Sequence, residues 1–266
     1  MDNRPIGIFD SGLGGLTAMR ALRRVLPEEN IIYFADTARM PYGAWPAVTL
    51  RRMAAQDLDF VASHGVKCIL AACGTVSSTA RDVLSGYRVK TFNVLESTVR
   101  EAAECPDEPI GVIATVASIN SGAFKNALGR ACPGREVIPV ACPAFVPLIE
   151  SGKSDPSDGE LKQAVEEYLR PIKQRGASSL ILGCTHYGII ERAIRAYLGD
   201  GVRIIEAADC AARELADWLR NSDMTGGTGE ESFFTTGRAE DFTALSSVFL
   251  GRAPRSAVLH VPELEA

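Results

Sequence analysis

The chain has 266 residues, enough for one large domain or two small ones, with 46% hydrophobic and 23% charged residues, a globular balance. A formal net charge of −5 argues against nucleic acid as the main partner, since that needs a basic face. No apolar run is long enough to span a membrane, no secretory segment follows Met1, and seven cysteines without a CxxC pair suit neither a disulfide framework nor a metal site, so a reduced, cytoplasmic protein is expected.

Ile6 to Phe9 is a short apolar run of the kind a buried strand carries, and it leads through Asp10 and Ser11 into a glycine turn, Gly12 to Gly15. Leu16, Met19, Leu22 and Val25 then recur at helical spacing until Pro27 stops the helix. Ile31 to Phe34 is a second strand, opening into a loop from Asp36 to Gly43 whose Pro41 and Gly43 mark irregular backbone. Leu50, Met53, Leu58 and Val61 mark a helix closing near Gly65. A third strand, Cys68 to Ala72, delivers Cys73, and Val76 to Leu84 is helical.

Val89 to Val94 and Ile110 to Ala114 are further strands, each followed by a helix, the second with Ser118 as its expected N-cap. Val137 to Ala141 is a strand, after which Pro143 and Pro147 flank a segment ending at Glu150. Residues 151–159 read as a loop and Leu161 to Ile172 as an amphipathic helix. Leu180 to Leu182 delivers Cys184, and Ile189 to Leu198 is helical. Val202 to Ile205 is a strand, Ala211 to Leu219 a helix, 221–229 a glycine-rich loop, Phe233 to Thr236 a strand, and Phe242 to Leu250 a helix. Strands alternating with helices predict an α/β fold of mostly parallel sheets, in two similar groups that each carry a cysteine at a strand end.

Ligands of parallel α/β folds gather at the carboxyl ends of strands, so Cys73 and Cys184 can face each other across a cleft. A cysteine between a strand end and a helix start lies near the positive end of the helix dipole, which favours the thiolate. His186, two positions after Cys184, can orient or protonate it; Asp10 can serve Cys73 if the first strand lies beside the third. Two thiols suit a reaction that inverts a carbon centre, because a proton must leave one face and return to the other. The Gly12 turn departs from the dinucleotide fingerprint, no phosphate-binding loop of the GxxxxGK[ST] type occurs, and no lysine sits at a strand end, so no cofactor is expected. An anionic substrate is then held by backbone N–H groups and hydroxyls, for which Ser11, Gly43, Gly74, Thr75 and Thr185 are placed. Cys68, Cys105, Cys132, Cys142 and Cys210 are assigned to packing, as are His64 and His260 to core or surface.

Three stretches in this order resemble the glutamate racemases, within the cofactor-independent aspartate/glutamate racemases: Asp10 to Leu16; Tyr33 to Arg39 with Pro41-Tyr42-Gly43; and Gly183-Cys184-Thr185-His186-Tyr187. The resemblance extends through Ala141-Cys142-Pro143 and Pro147 to Glu150 as far as Phe233 to Gly237. It implies two α/β domains with the site between them, the first formed by residues 1–98 and 207–266 and the second by 99–206. It also implies interconversion of L- and D-glutamate for peptidoglycan, and a homodimer. Carried over by residue, Cys73 and Cys184 are the bases, partnered by Asp10 and His186, with Glu150 an acid nearby. Asp10, Ser11, Pro41, Tyr42, Gly43, Gly74, Thr75, Ser118 and Thr185 contact substrate. The chain departs from the family at position 74, Gly where Asn is usual, and at Ser118, where Thr is common. The alternatives are a racemase of another amino acid such as aspartate, a non-catalytic binding homologue, and a single-cysteine hydrolase using Cys184 and His186.

Overall fold

The computed structural model describes residues 1–105, 109–261 and 264. Its strands are β1 (Ile6–Asp10), β2 (Ile31–Ala35), β3 (Cys68–Ala71), β4 (Thr91–Asn93), β5 (Ile110–Ala114), β6 (Val137–Ala141), β7 (Ser179–Leu182), β8 (Arg203–Glu206), β9 (Glu231–Thr235) and β10 (Val258–His260). They form two sheets, ordered β10-β9-β2-β1-β3-β4 and β6-β5-β7-β8, with every pairing parallel. Parallel pairing needs a crossover between consecutive strands, and the helices supplying it cover the sheet faces. That explains why β1, β2, β3, β5 and β7 are buried along their whole length. Each large apolar side chain so buried contributes on the order of 1.5–3 kcal/mol.

The chain crosses from the first sheet to the second after β4 and comes back after β8. The returning helix, Ala207–Asn221, packs against both Leu16–Val25 and Val94–Ala103. β9 then pairs with β2 from Ile31↔Glu231 to Ala35↔Thr235, so the C-terminal strands complete the sheet that the N-terminal strand began. β10, which the polar stretch around it concealed, extends the edge beside β9.

Local chemistry moved several expected boundaries. The helix after Cys73 is two helices, Gly74–Thr79 and Arg81–Ser85, broken at Ala80. Ser78 Oγ and Thr79 Oγ1 both donate to the Thr75 carbonyl (2.9 and 2.7 Å), competing with the helical ladder where it stops. The helix after β5 spans Val116–Asn120, and its N-cap is Thr115, not Ser118. Thr115 has extended backbone, and its Oγ1 accepts the Ser118 N–H (3.3 Å), so Ser118 supplies the amide that is capped. The amphipathic helix is Gly159–Gln174, capped by the Asp158 carboxylate on Leu161 N (2.9 Å).

Candidate active site

The carboxyl ends of both sheets open onto one cavity of about 430 Å³. From the first sheet come Asp10, ending β1, and Cys73, two residues after β3; these strands are neighbours, with Phe9 opposite Ala71. From the second come Thr115 after β5, Cys142 after β6, and Cys184, two residues after β7. Ser11, Gly74, Thr75, Thr185, His186 and Glu150 complete the polar lining. Met40, Pro41, Tyr42, Gly43, Val146 and Pro147 line it as well. Among the expected site residues Ser118 stands apart from the lining. It is fully buried, with its hydroxyl 3.0 Å from Thr115 Oγ1 and 3.2 Å from Ser78 Oγ, so it supports the lining through Thr115 and, by way of Ser78, through Thr75.

The two cysteines have different surroundings. Cys73 caps the helix Gly74–Thr79 and donates its S–H to Ser11 Oγ (3.4 Å). Burial, reinforced by the nearby Asp10 charge, pushes the Cys73 thiol up to about 12, against the hydrogen bonds from Ser11 and Val76. The helix end favours a thiolate there, and burial beside a carboxylate opposes it.

Cys184 Sγ lies 3.8 Å from His186 Nδ1, and His186 Nε2 lies 3.1 Å from Glu150 Oε1. Burial disfavours a charged ring, but hydrogen bonds to Cys184 and Glu150, with the fields of Cys184 and Asp10, outweigh it and raise His186 to about 10. A protonated ring keeps one N–H on the sulfur and the other on the carboxylate. Asp10 accepts the Gly15 N–H through Oδ2 (2.6 Å), which ties the glycine turn to β1.

The two halves meet closely at this level. Thr75 Oγ1 is 3.3 Å from Thr115 Oγ1, and Thr17 Oγ1 donates to the Thr185 carbonyl (3.1 Å). A Cβ on Gly14 would fall 2.3 Å from His186 Nδ1, and one on Gly74 would fall 2.5 Å from the Gly183 carbonyl oxygen. Gly74 thus has a steric reason: it lets the two cysteine loops approach.

Tyr42 lies along the cavity yet is buried. Its phenol turns inward to Asp36 and to Asp57 Oδ2 (2.7 Å), beside Arg39, which holds Asp36 Oδ2 (2.5 Å) and Asp57 Oδ1 (3.0 Å). Thr236 Oγ1 donates to Asp36 Oδ1 (2.8 Å) and accepts from Ala38 N (3.0 Å), so the end of β9 fastens the same loop. Sequence reasoning missed this support, along with Thr115 and Cys142. For the latter two a signal existed: both follow a strand directly, as Cys73 and Cys184 nearly do. Burial, with the Cys184 charge adding to it, raises the Cys142 thiol strongly.

Residues 16–215 match the family model described as Asp/Glu/Hydantoin racemase. The chain is 37% identical to "Glutamate racemase 2" of Caldanaerobacter subterraneus subsp. tengcongensis, over 95% of each chain. It is 39% identical to a glutamate racemase of Aquifex aeolicus, over 92% of this chain and 94% of that one. A crystal structure of glutamate racemase from Francisella tularensis in complex with D-glutamate superposes with a TM-score of 0.91 at 34% identity, covering 99% of both chains. With strand-end cysteines from two parallel sheets on one cavity, and these likenesses along nearly the whole length, the chain belongs to the Asp/Glu/hydantoin racemase family.

Proposed function

We propose that the protein is a glutamate racemase working by proton transfer between two thiols, without a cofactor. The observation that carries the reading is the pair Cys73 and Cys184, one from each sheet, lining a single cavity with a histidine–carboxylate pair behind only one of them. The proton balance follows from that asymmetry. Cys184 takes the α-proton from one face of the bound amino acid, and Cys73, resting as a thiol, delivers its own proton to the other face. The enzyme is left with the proton on Cys184, poised for the reverse reaction. No Lys or Arg lines the cavity among the described residues, so substrate carboxylates are met by the backbone N–H groups and hydroxyls of Ser11, Gly43, Thr75, Thr115 and Thr185.

The domains that close on substrate are residues 1–98 with 207–266, and 99–206; the return of β9 and β10 to the first sheet supports this division. The reading places the protein in the cytoplasm as a homodimer, supplying D-glutamate to peptidoglycan. The test uses purified protein in D2O with L-glutamate and no added cofactor. Wild type is expected to form α-deuterated D-glutamate, and Cys73→Ser and Cys184→Ser each to lose most of that activity. A wild type inert on L-glutamate but active on L-aspartate would move the substrate assignment, and a Cys73→Ser variant of nearly full activity would end the two-thiol mechanism.

A further inference from the structure

The buried cluster behind the cavity holds more contacts than its obvious protons can make. Tyr42 has one O–H, yet its oxygen lies within hydrogen-bond reach of two carboxylate oxygens, Asp36 Oδ2 and Asp57 Oδ2. One O–H satisfies one of them; the other is an oxygen–oxygen contact of lone pairs unless a carboxyl carries a hydrogen. Asp36 is engaged as a charged group at both oxygens, by Arg39 Nε and Thr236 Oγ1. Asp57 accepts from Arg39 Nη2 through Oδ1, which leaves Oδ2 facing the phenol. Asp36 and Asp57 are wholly buried and Arg39 nearly so, and one guanidinium balances one carboxylate. A second negative charge there would be uncompensated in a low-dielectric interior.

We propose that Asp57 holds a proton at neutral pH, donating Oδ2–H to Tyr42 while Tyr42 donates to Asp36, and that this proton positions the Pro41-Tyr42-Gly43 loop for substrate. Asp57 is a positioning residue: it stands on the helix Ala47–Ser63, outside the cavity, and acts through the loop whose Pro41 and Gly43 line it. The groups facing it are Arg39, Tyr42 and Asp36 from the loop, with Gln56 on Arg39 (2.5 Å) and Asp10 from β1 near enough to be felt. Burial, then the Asp36 charge, raise the Asp57 carboxyl well above the usual range, against the hydrogen bond from Tyr42 and the Arg39 charge. Ionisation at alkaline pH removes the bridging hydrogen and frees the loop. The positioning claim rests on the proposed reading that this loop contacts substrate.

The test is kinetic and spectroscopic. Asp57→Asn preserves both contacts, since its amide N–H donates to Tyr42 and its carbonyl accepts from Arg39. It is expected to keep the wild-type KM for glutamate and to lose the alkaline rise of KM. Asp57→Ala is expected to raise KM about tenfold with little change in kcat. Wild-type-minus-Asp57→Asn infrared difference spectra should show the carbonyl stretch of a buried carboxylic acid. Absence of that band, or an Asp57→Asn KM raised as far as that of Asp57→Ala, overturns the proposal, and the spectrum decides even if Asp57→Ala does not fold. A wild type inert on glutamate that still shows the band would defeat the substrate reading and the positioning claim while leaving the buried proton in place.

Discussion

Replacing Gly74 by alanine isolates the close approach of the two cysteine loops. The added Cβ would lie 2.5 Å from the Gly183 carbonyl oxygen, where ordinary contact begins at 3.4 Å, and the obstacle is backbone that cannot rotate away. The gap must widen by about 1 Å, and because Gly74 follows Cys73 and Gly183 precedes Cys184, both sulfurs shift with it. Overpacking of this kind costs about 1–3 kcal/mol. At this chain length that corresponds to a melting temperature lower by about 2–4 °C per kcal/mol. With the two thiols as the proposed bases, a displacement near 1 Å predicts kcat/KM reduced by roughly 10- to 100-fold. Gly129→Ala is the control, since nothing lies within 4 Å of its added Cβ and helix propensity rises. Circular dichroism supplies both assays, following racemisation of L-glutamate and thermal unfolding. If Gly74→Ala matched wild type in both while folding normally, the loops would not be in the contact described, and the steric reason for glycine here would fall.

The histidine–carboxylate pair gives further expectations. His186→Gln should lower kcat/KM by about 100-fold or more. Mirror-image substrates are isoenergetic, so kcat/KM must fall equally from L- and D-glutamate whatever the residue's role; a His186→Gln variant that keeps kcat/KM near wild type would refute the assignment. Because His186 is raised from 6.5 to about 10, its stabilising contribution is full below 6.5 and is lost as pH rises through about 10. The gap in melting temperature between wild type and His186→Gln should therefore shrink over that window, and a gap independent of pH would contradict it. Cys73, with its thiol near 12, should react with iodoacetamide at about pH 8 more slowly than free cysteine, as peptide mapping can establish.

Much of the fold was legible because buried parallel strands are short apolar runs ended by small or turn residues. Ile110 to Ala114 and Val137 to Ala141 were placed to the residue. β10 was not, since its Leu259 and His260 lie at an exposed edge and carry no buried pattern. Cavity-lining residues next to strand ends were readable from position in the chain. What escaped depends on long-range geometry: that Thr115 rather than Ser118 caps its helix and reaches the cavity, and that the Tyr42 phenol turns inward. The second follows from Asp57, which stands in mid-helix where a sequence reader expects a solvated charge; only the packing of that helix on β1 reveals it as buried.

The return of β9 to the first sheet has a consequence for synthesis. A ribosome delivers the glycine turn, the 36–44 loop, both cysteines and the whole second sheet before it delivers Thr235, Thr236 and Gly237. Until then β2 is an open edge, and Asp36, Thr37 and Ala38 lack the hydroxyl partners that hold them. A nascent chain stalled before β9 would therefore carry its thiols on a cavity with one wall unfastened. Strand β9 fastens a loop translated some two hundred residues earlier, so its delivery gates the site.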